Sequence, residues 1–437
     1  MPRHKLWPIR LILLAMAAFS TPLQAQNDEY VTPQLRNYDY VYRDHIKSVR
    51  FYLGDSEIAQ PIIELGSTGP LILEFDDMDG APIDYYYKVI HCNANWTPSE
   101  DIDAIDYING YQENRFFDYE TSFNTRTSYV HYELKIPNDD IKWTISGNYL
   151  LKIYLNENEE DLVITRRFMV VDTKMKVVPK MRNSARPPYS TTHQEFYFRI
   201  EHAGIQVGNA TAELKLAILQ NGRWDNALTD LKPTFIENKA VIYNNQGKLL
   251  FAGNREFRPL DIRSFRHRSP QVKYLTQDSN SFYLELFPNT CRKGQAYLFT
   301  HDVNGKYILE TFDEPDVRTR GEYGKIKFSL KSTELTDGEV YILGSFTDFQ
   351  AYDEFKMSYN VEAEAYEATV LLKNGFYDYV YAFLPNDSDH GALDWDTIEG
   401  STYEAENDYY FLVYFREFGG RYDQLVAVQK MNSNPNR

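Results

Sequence analysis

Two cysteines, Cys92 and Cys291, are all that 437 residues contain. A disulfide framework is therefore excluded; either the pair bridges two distant parts of the chain or each is a buried free thiol. Two cysteines without histidines at short spacing cannot build a tetrahedral zinc site. Beyond the first 25 residues no apolar run approaches the roughly 20 residues that a membrane span needs. Positive charge is scarce as well, with 46 Lys and Arg against 63 Asp and Glu and a net charge of −17. Such a body is repelled by nucleic acid and by anionic lipid, so neither is an expected partner, and no direct membrane insertion is expected. Helical periodicity is rare; only Asp101 to Asn109 reads as a short helix. Catalytic signatures are missing too: no G-x-S-x-G elbow, no H-E-x-x-H pair and no cysteine in a catalytic context. His91, His131, His193, His202, His267, His301 and His390 stand singly. Asp76 to Gly80 and Asp302 to Gly305 place acids before a glycine. Their outer ligand positions, however, fall on Phe75 and Tyr86 or on Thr300 and Thr311, so both read as turns and not calcium loops. No enzyme activity, metal or cofactor is expected.

What is present is mostly strand. Tyr 35 and Phe 26 are high counts, and both residue types favour strands and recognition surfaces. The N-terminus reads as an export signal over residues 1–25: a basic start (Arg3, His4, Lys5, Arg10), an apolar core from Leu11 to Phe19 and a cleavage site at Leu23-Gln24-Ala25. Its removal takes away three of the 46 cations and no acid, leaving −20. Seven short alternating segments then run from His45 to Val171, the pattern of an antiparallel sandwich. Eight more follow between Glu195 and Thr311, and Pro179, Pro187 and Pro188 mark the crossing to them. Asn221-Gly222 and Asn304-Gly305 suit type I′ turns, whose two central residues need positive φ. The second predicts a hairpin between Ala296–Thr300 and Tyr307–Thr311. A charged linker from Asp313 to Gly324 precedes a third unit. There Tyr366–Leu372, a turn at Asn374-Gly375 and Tyr377–Leu384 are followed by Tyr409–Phe415 and Leu425–Val428, which complete its sheet. The expected fold is all-β, with tandem immunoglobulin-like β-sandwich domains at 26–172, 173–318 and 319–437.

Two stretches carry candidate contacts. Asn93 to Ser128 is a loop of about 35 aromatic and acidic residues, and a loop that long inside a domain is usually functional or packed on itself. It holds no nucleophile, ligand cluster or phosphate cradle, which points to recognition through Trp96, Tyr107 and Tyr111. The second stretch, Arg255 to Arg268, holds Arg255, Arg258, Arg263, Arg266 and Arg268. On an acidic protein these arginines either face an acidic partner or pair with the chain's own carboxylates.

Around that loop lies a family resemblance. His91-Cys92-x3-Trp96, Tyr107 to Gly110, Ser122-x-Asn124-Thr125 and Tyr129-x-His131-Tyr132 occur in order, followed by Ile136-Pro137-Asn138 and Ser146-Gly147-Asn148-Tyr149. With a further block from Gly253 to Asp261, the set resembles the plug proteins of type IX secretion, a family of the Bacteroidota. The resemblance spans roughly Tyr38 to Phe312 and carries no catalytic residues. It implies a periplasmic protein, monomeric before docking, that binds the outer-membrane type IX translocon barrel and closes its periplasmic mouth. The segment from Val340 to Phe349 is similar to the early-Set module appended to glycogen-branching enzymes, with Phe349 where that family has tryptophan. It implies the alternative of a periplasmic glycan-binding scaffold.

Overall fold

The computed structural model describes residues 34–54, 56–116, 118–388 and 391–434. The expected export signal at 1–25 and His390 lie outside them. The described chain is almost entirely β, with short helical turns only. Three β modules, each with its own apolar core, make up the described chain.

The first module is a two-sheet sandwich. Tyr40–Val41, Asn158–Val171, Gly147–Leu155, Tyr85–Cys92 and Glu113–Arg115 form one sheet, with Ile62–Glu64 on its flank. Ile46–Leu53, Leu71–Asp77, Val130–Ile136 and Asp118–Thr121 form the other. Strands such as Tyr85–Cys92 alternate buried with half-buried residues, as one inward face requires. The long loop is stitched down, not free: Glu113–Arg115 pairs with Tyr85–Cys92, Asp118–Thr121 with Val130–Ile136, and Ile108–Gly110 with Ile141–Trp143. Within it, Ala104–Tyr107 is a single helical turn.

Strand pairing departs from the expected order of the remaining two units. One sheet of the second module contains Lys176–Asn183, His193–Glu201, Ala240–Tyr243 and Phe235–Glu237. Its other sheet joins Arg223–Leu228 and Leu214–Gln220 to Asp408–Phe415 and Gln424–Asn432. Tyr409–Phe415 and Leu425–Val428 thus complete the second module and not the third, with Leu214 opposite Phe415 and Gln220 opposite Tyr409. The third module is an insertion in the second. Its strands run from Arg258–Asp261 to Gly375–Pro385; eight form one continuous path of pairings, and Asn289–Thr290 and Tyr307–Leu309 attach to its side. Lys356–Asn360 pairs with Gly338–Leu343 at its start and with Ala365–Lys373 at its end, rolling one face into the other. The expected boundary at 318/319 falls inside this module, where Phe282–Leu286 lies parallel to Tyr323–Lys331. Proline and charge mark any turn between strands, and a turn does not reveal whether the next strand stays in the same sheet.

Asn221 (φ 55°) and Gly222 (φ 75°) turn the hairpin between Leu214–Gln220 and Arg223–Leu228. Asn304 (φ 55°) and Gly305 (φ 80°) adopt the same left-handed pair. There, however, Tyr307–Leu309 pairs with Gly375–Pro385, and 296–300 is not a strand, so the expected hairpin is absent. Asn374-Gly375 likewise passes the chain between strands that are not each other's partners.

Candidate functional site

Trp96 follows a tight turn in which its own N–H donates to the Asn93 carbonyl at 2.9 Å. The indole is 3% exposed and meets Trp224 edge-on, with ring centroids 5.1 Å apart. The Arg167 guanidinium lies over it at 4.5 Å, an arrangement favoured by the ring quadrupole. Around this stack Cys92, Leu150 and Met169 of the first module pack with Leu219, Leu412 and Leu425 of the second. The Tyr414 hydroxyl donates to Asn148 Oδ1 at 2.8 Å across the same seam. Trp96 is therefore a rivet between modules and not a surface for an outside partner. Tyr107 is also buried, against His91 and Tyr149. Burial pushes the His91 imidazole down to about 4 and the Cys92 thiol up to about 12. Neither Cys92 nor Cys291 is in a disulfide.

The joint between the first and third modules is ionic. Lys373 Nζ donates to Asp76 Oδ2 at 2.6 Å with both side chains buried. Tyr323 donates to the same oxygen at 2.7 Å, and His131 Nδ1 donates to Asp76 Oδ1 at 2.7 Å. Arg50 donates to Glu74 at 2.5 Å. Burial alone would raise both carboxyls, but the opposing charges win. His131 and Arg50 take Glu74 down to about 2, while Lys373 and His131 hold Asp76 below its ordinary value. Burial lowers His131, yet its hydrogen bond to Asp76 and the Glu74 carboxylate 3.5 Å from its Nε2 leave it raised overall. Buried charges of this kind are tolerated only when each is paired and hydrogen-bonded. They fix the relative placement of these two modules.

The arginine stretch is largely absorbed by the chain itself. Arg258 grips both Glu399 oxygens at 3.0 and 2.9 Å, with 11% of its side chain left exposed. Arg255 donates to the Gln295 carbonyl at 2.5 Å and Arg268 to the Lys273 carbonyl at 2.6 Å. Arg263 binds Asp261 at 2.7 Å and Glu310 at 3.0 Å, and Arg266 binds Glu314 at 2.6 Å. Of the two alternatives, the self-paired one describes these side chains. An exposed face nevertheless remains at their edge. The Arg263 guanidinium covers Phe312 at 4.4 Å, and Arg320 covers Phe123 at 4.7 Å. Glu314 connects the two halves through Arg266 and, at 3.8 Å, Arg320. Phe123 and Phe312 are 61% and 63% exposed, and exposed aromatics with arginine are the composition of recognition surfaces. Sequence reading missed both phenylalanines and Arg320. The one local signal was Phe123 standing in a polar run of the long loop. Tyr111, also a candidate, is exposed and directly follows the Ile108–Gly110 strand, with its N–H held by the Asp140 carbonyl.

Of the acidic turns, the first brings His45, Asp77 and Asp79 ligand atoms within 4.8 Å of one another. The Tyr85 hydroxyl and the Asp79 N–H already occupy the Asp77 carboxylate, as in an ordinary Asx turn. In the second, Asp302 accepts from the Phe257 and Asn304 N–H groups, and Asp378 from those of Val303 and Gly305. The turn is tied from both sides.

Residues 46–172, the bulk of the first module, match the family described as "Type 9 secretion system plug protein 1st domain". A solved structure described as a hypothetical protein from Parabacteroides merdae ATCC 43184 is similar over 91% of this chain and 100% of its own. It shares 30% identity with a TM-score of 0.87. No curated protein matches. Residues 46–172 of this chain thus carry the first domain of the type 9 secretion system plug proteins, in a fold shared over most of the chain with a relative at 30% identity.

Proposed function

We propose that this chain seals the periplasmic opening of the outer-membrane type IX translocon barrel when no cargo or outer partner occupies it. The family match over the first module carries the reading. The physical demands of such a seal support it. A barrel of 36 strands has a circumference of roughly 225 Å and a diameter of roughly 70 Å. One module of about 130 residues spans only about 35 Å. Closing a wide mouth calls for several modules held rigidly side by side, which the tryptophan seam and the ionic joint provide. A seal must also let go, and that favours a polar, arginine-rich contact over an obligate apolar one. Phe123, Arg320, Arg266 and Phe312 supply a face of that kind.

The experiment is co-purification with a tagged barrel from outer-membrane extracts. The native chain is expected to be recovered with the barrel, and Phe123→Ala with Phe312→Ala to reduce recovery by roughly ten-fold, the scale of paired interface anchors. A native chain that repeatedly fails to co-purify overturns the reading. Undiminished recovery of the double variant would remove this face from it. The glycan-binding alternative has less behind it. Phe349 is 9% exposed, lies 5.9 Å from the Trp395 ring and sits beneath the Arg223 guanidinium, which occupies the place a sugar would take.

A further inference from the structure

Between Asp408–Phe415 and Gln424–Asn432 the chain turns back on itself through residues 416–423. The Gly420 N–H donates to the Glu417 carbonyl at 2.8 Å, and Gly419 takes φ 80° at the third of the four turn positions. A left-handed residue at that place favours glycine. It leaves Phe418 at the outer corner, 95% exposed. The base of this hairpin is held firmly. Tyr422 packs edge-on against His91 with ring centroids 5.4 Å apart, and Asp423 accepts from the Ala94 N–H at 2.9 Å. Arg416 donates to Asp423 at 2.8 Å and to Asn93. Arg421 donates to Asp106 at 3.1 Å, on the helical turn Ala104–Tyr107. The hairpin of the second module thus stands fixed on the long loop of the first, with its tip projecting.

Beside Asp106 on that turn is Ile105, 83% exposed. Ile105 and Phe418 are the two most exposed large apolar side chains among the described residues. One such side chain is ordinary on any protein surface. Two, drawn from different modules and tied through one ion pair, make a rigid apolar point, and rigidity lowers the entropy lost on binding. The ground around the point is acidic. Segments 100–106 and 417–421 carry Glu100, Asp101, Asp103, Asp106 and Glu417, against Arg421 as their one cation. All but Asp106 of these acids are exposed. This collar decides among occupants. An anionic lipid surface would bring like charge against it, and so would a second copy seated point to point.

We propose that Phe418 and Ile105 form a docking point for an apolar socket rimmed by lysine or arginine, carried by the translocon barrel at its periplasmic mouth. The proposal rests on the sealing role above. It adds a contact on the first and second modules to the Phe123 and Phe312 face on the first and third. Two contacts on different pairs of modules fix the tilt of the chain across a wide opening, where one alone would act as a pivot. The collar steers the point toward its basic rim, and the apolar pair holds it there.

The test is co-purification of the full mature chain with the tagged barrel at rising salt. The native chain is expected to be recovered, less so as salt rises, because exposed charges are screened. Ile105→Ala with Phe418→Ala should reduce recovery roughly ten-fold, while Phe418→Trp retains it. Asp101→Asn with Asp103→Asn should reduce recovery about two- to five-fold at low salt and flatten the salt dependence. These side chains are exposed, so melting temperatures are expected to stay at the native value. Native-like recovery of Ile105→Ala with Phe418→Ala overturns the docking point and leaves the sealing role standing. A native chain that is never recovered overturns the sealing role, and this contact with it. Flotation with vesicles of phosphatidylethanolamine and phosphatidylglycerol is expected to leave the chain unbound, and sedimentation equilibrium to show a monomer. Vesicle binding or a dimer that Phe418→Ala abolishes would put lipid or a second copy on the point and overturn the proposal.

Discussion

At neutral pH the Asp378 carboxyl is held partly protonated, because burial and the nearby Asp302 charge push it up to about 8. Asp302 itself is pushed up to about 7, chiefly by burial. In the unfolded chain both return to an ordinary carboxyl value of about 3.9. The folded state therefore binds more protons than the unfolded one between about pH 4 and pH 8, and stability falls as pH rises through that window. Asp378→Asn keeps an oxygen for the Val303 and Gly305 N–H groups and removes the titration. It is expected to raise the melting temperature relative to the native chain at pH 8 and to give little gain near pH 4. Thermal melts across that range check it; a difference that does not change with pH would show that the carboxyl is not shifted. None of this was legible in the Asp302-x-Asn304-Gly305 spacing, which reads as a turn and is one. Asp378 comes from a strand more than seventy residues away, as the 75-residue separation of its bond to Val303 shows.

Among elements, the two Asn-Gly turns separate what a dipeptide encodes from what it does not. Both adopt the left-handed pair, because asparagine and glycine reach positive φ at little cost. Only at 221–222 do the flanking strands pair with each other. At 304–305 the following strand finds a better partner in Gly375–Pro385. Gly222 also faces Gln60 of the first module, and an added Cβ would meet its amide. The amide is the far end of a flexible side chain and can move, so the left-handed backbone sets the cost. Gly222→Ala is expected to destabilise by about 1–2 kcal/mol. Chemical denaturation measures this, and repeating it in a Gln60→Ala background should leave the cost nearly unchanged. If the cost disappears there, crowding and not backbone strain was the cause.

For the whole molecule, the insertion of the third module into the second carries the strongest consequence. Phe196, Phe198 and Ile218 share one core with Tyr409, Phe411 and Val413. A chain ending at residue 318 keeps Leu214–Gln220 but loses the strand opposite it, exposing half of that core. Each buried aromatic or aliphatic side chain uncovered this way forfeits roughly 1.5–3 kcal/mol. The truncated chain is expected to lose protection throughout residues 176–252 while the first module keeps its own. Hydrogen exchange followed by peptide mapping distinguishes this from the tandem arrangement, in which both would remain protected. The same topology explains why Trp96 and Tyr107 are not docking residues. The second module comes back to cover the loop that carries Trp96, and its hairpin tip approaches the helical turn of Tyr107, where Arg421 binds Asp106 at 3.1 Å.

The amino-acid sequence by itself determined the strand content, the excess of negative charge, the left-handed turns and the family blocks around His91, Cys92 and Trp96. Each of these is written in a few neighbouring residues: a two-residue alternation, a count of charges, a pair that tolerates positive φ. The tertiary structure alone decided which strand lies beside which, that Trp96 faces Trp224, and that five arginines spend their donors largely on the chain's own acceptors. Those outcomes depend on partners far away in the chain, and a local pattern of apolar and polar residues fits many possible neighbours equally well until the core closes around one of them.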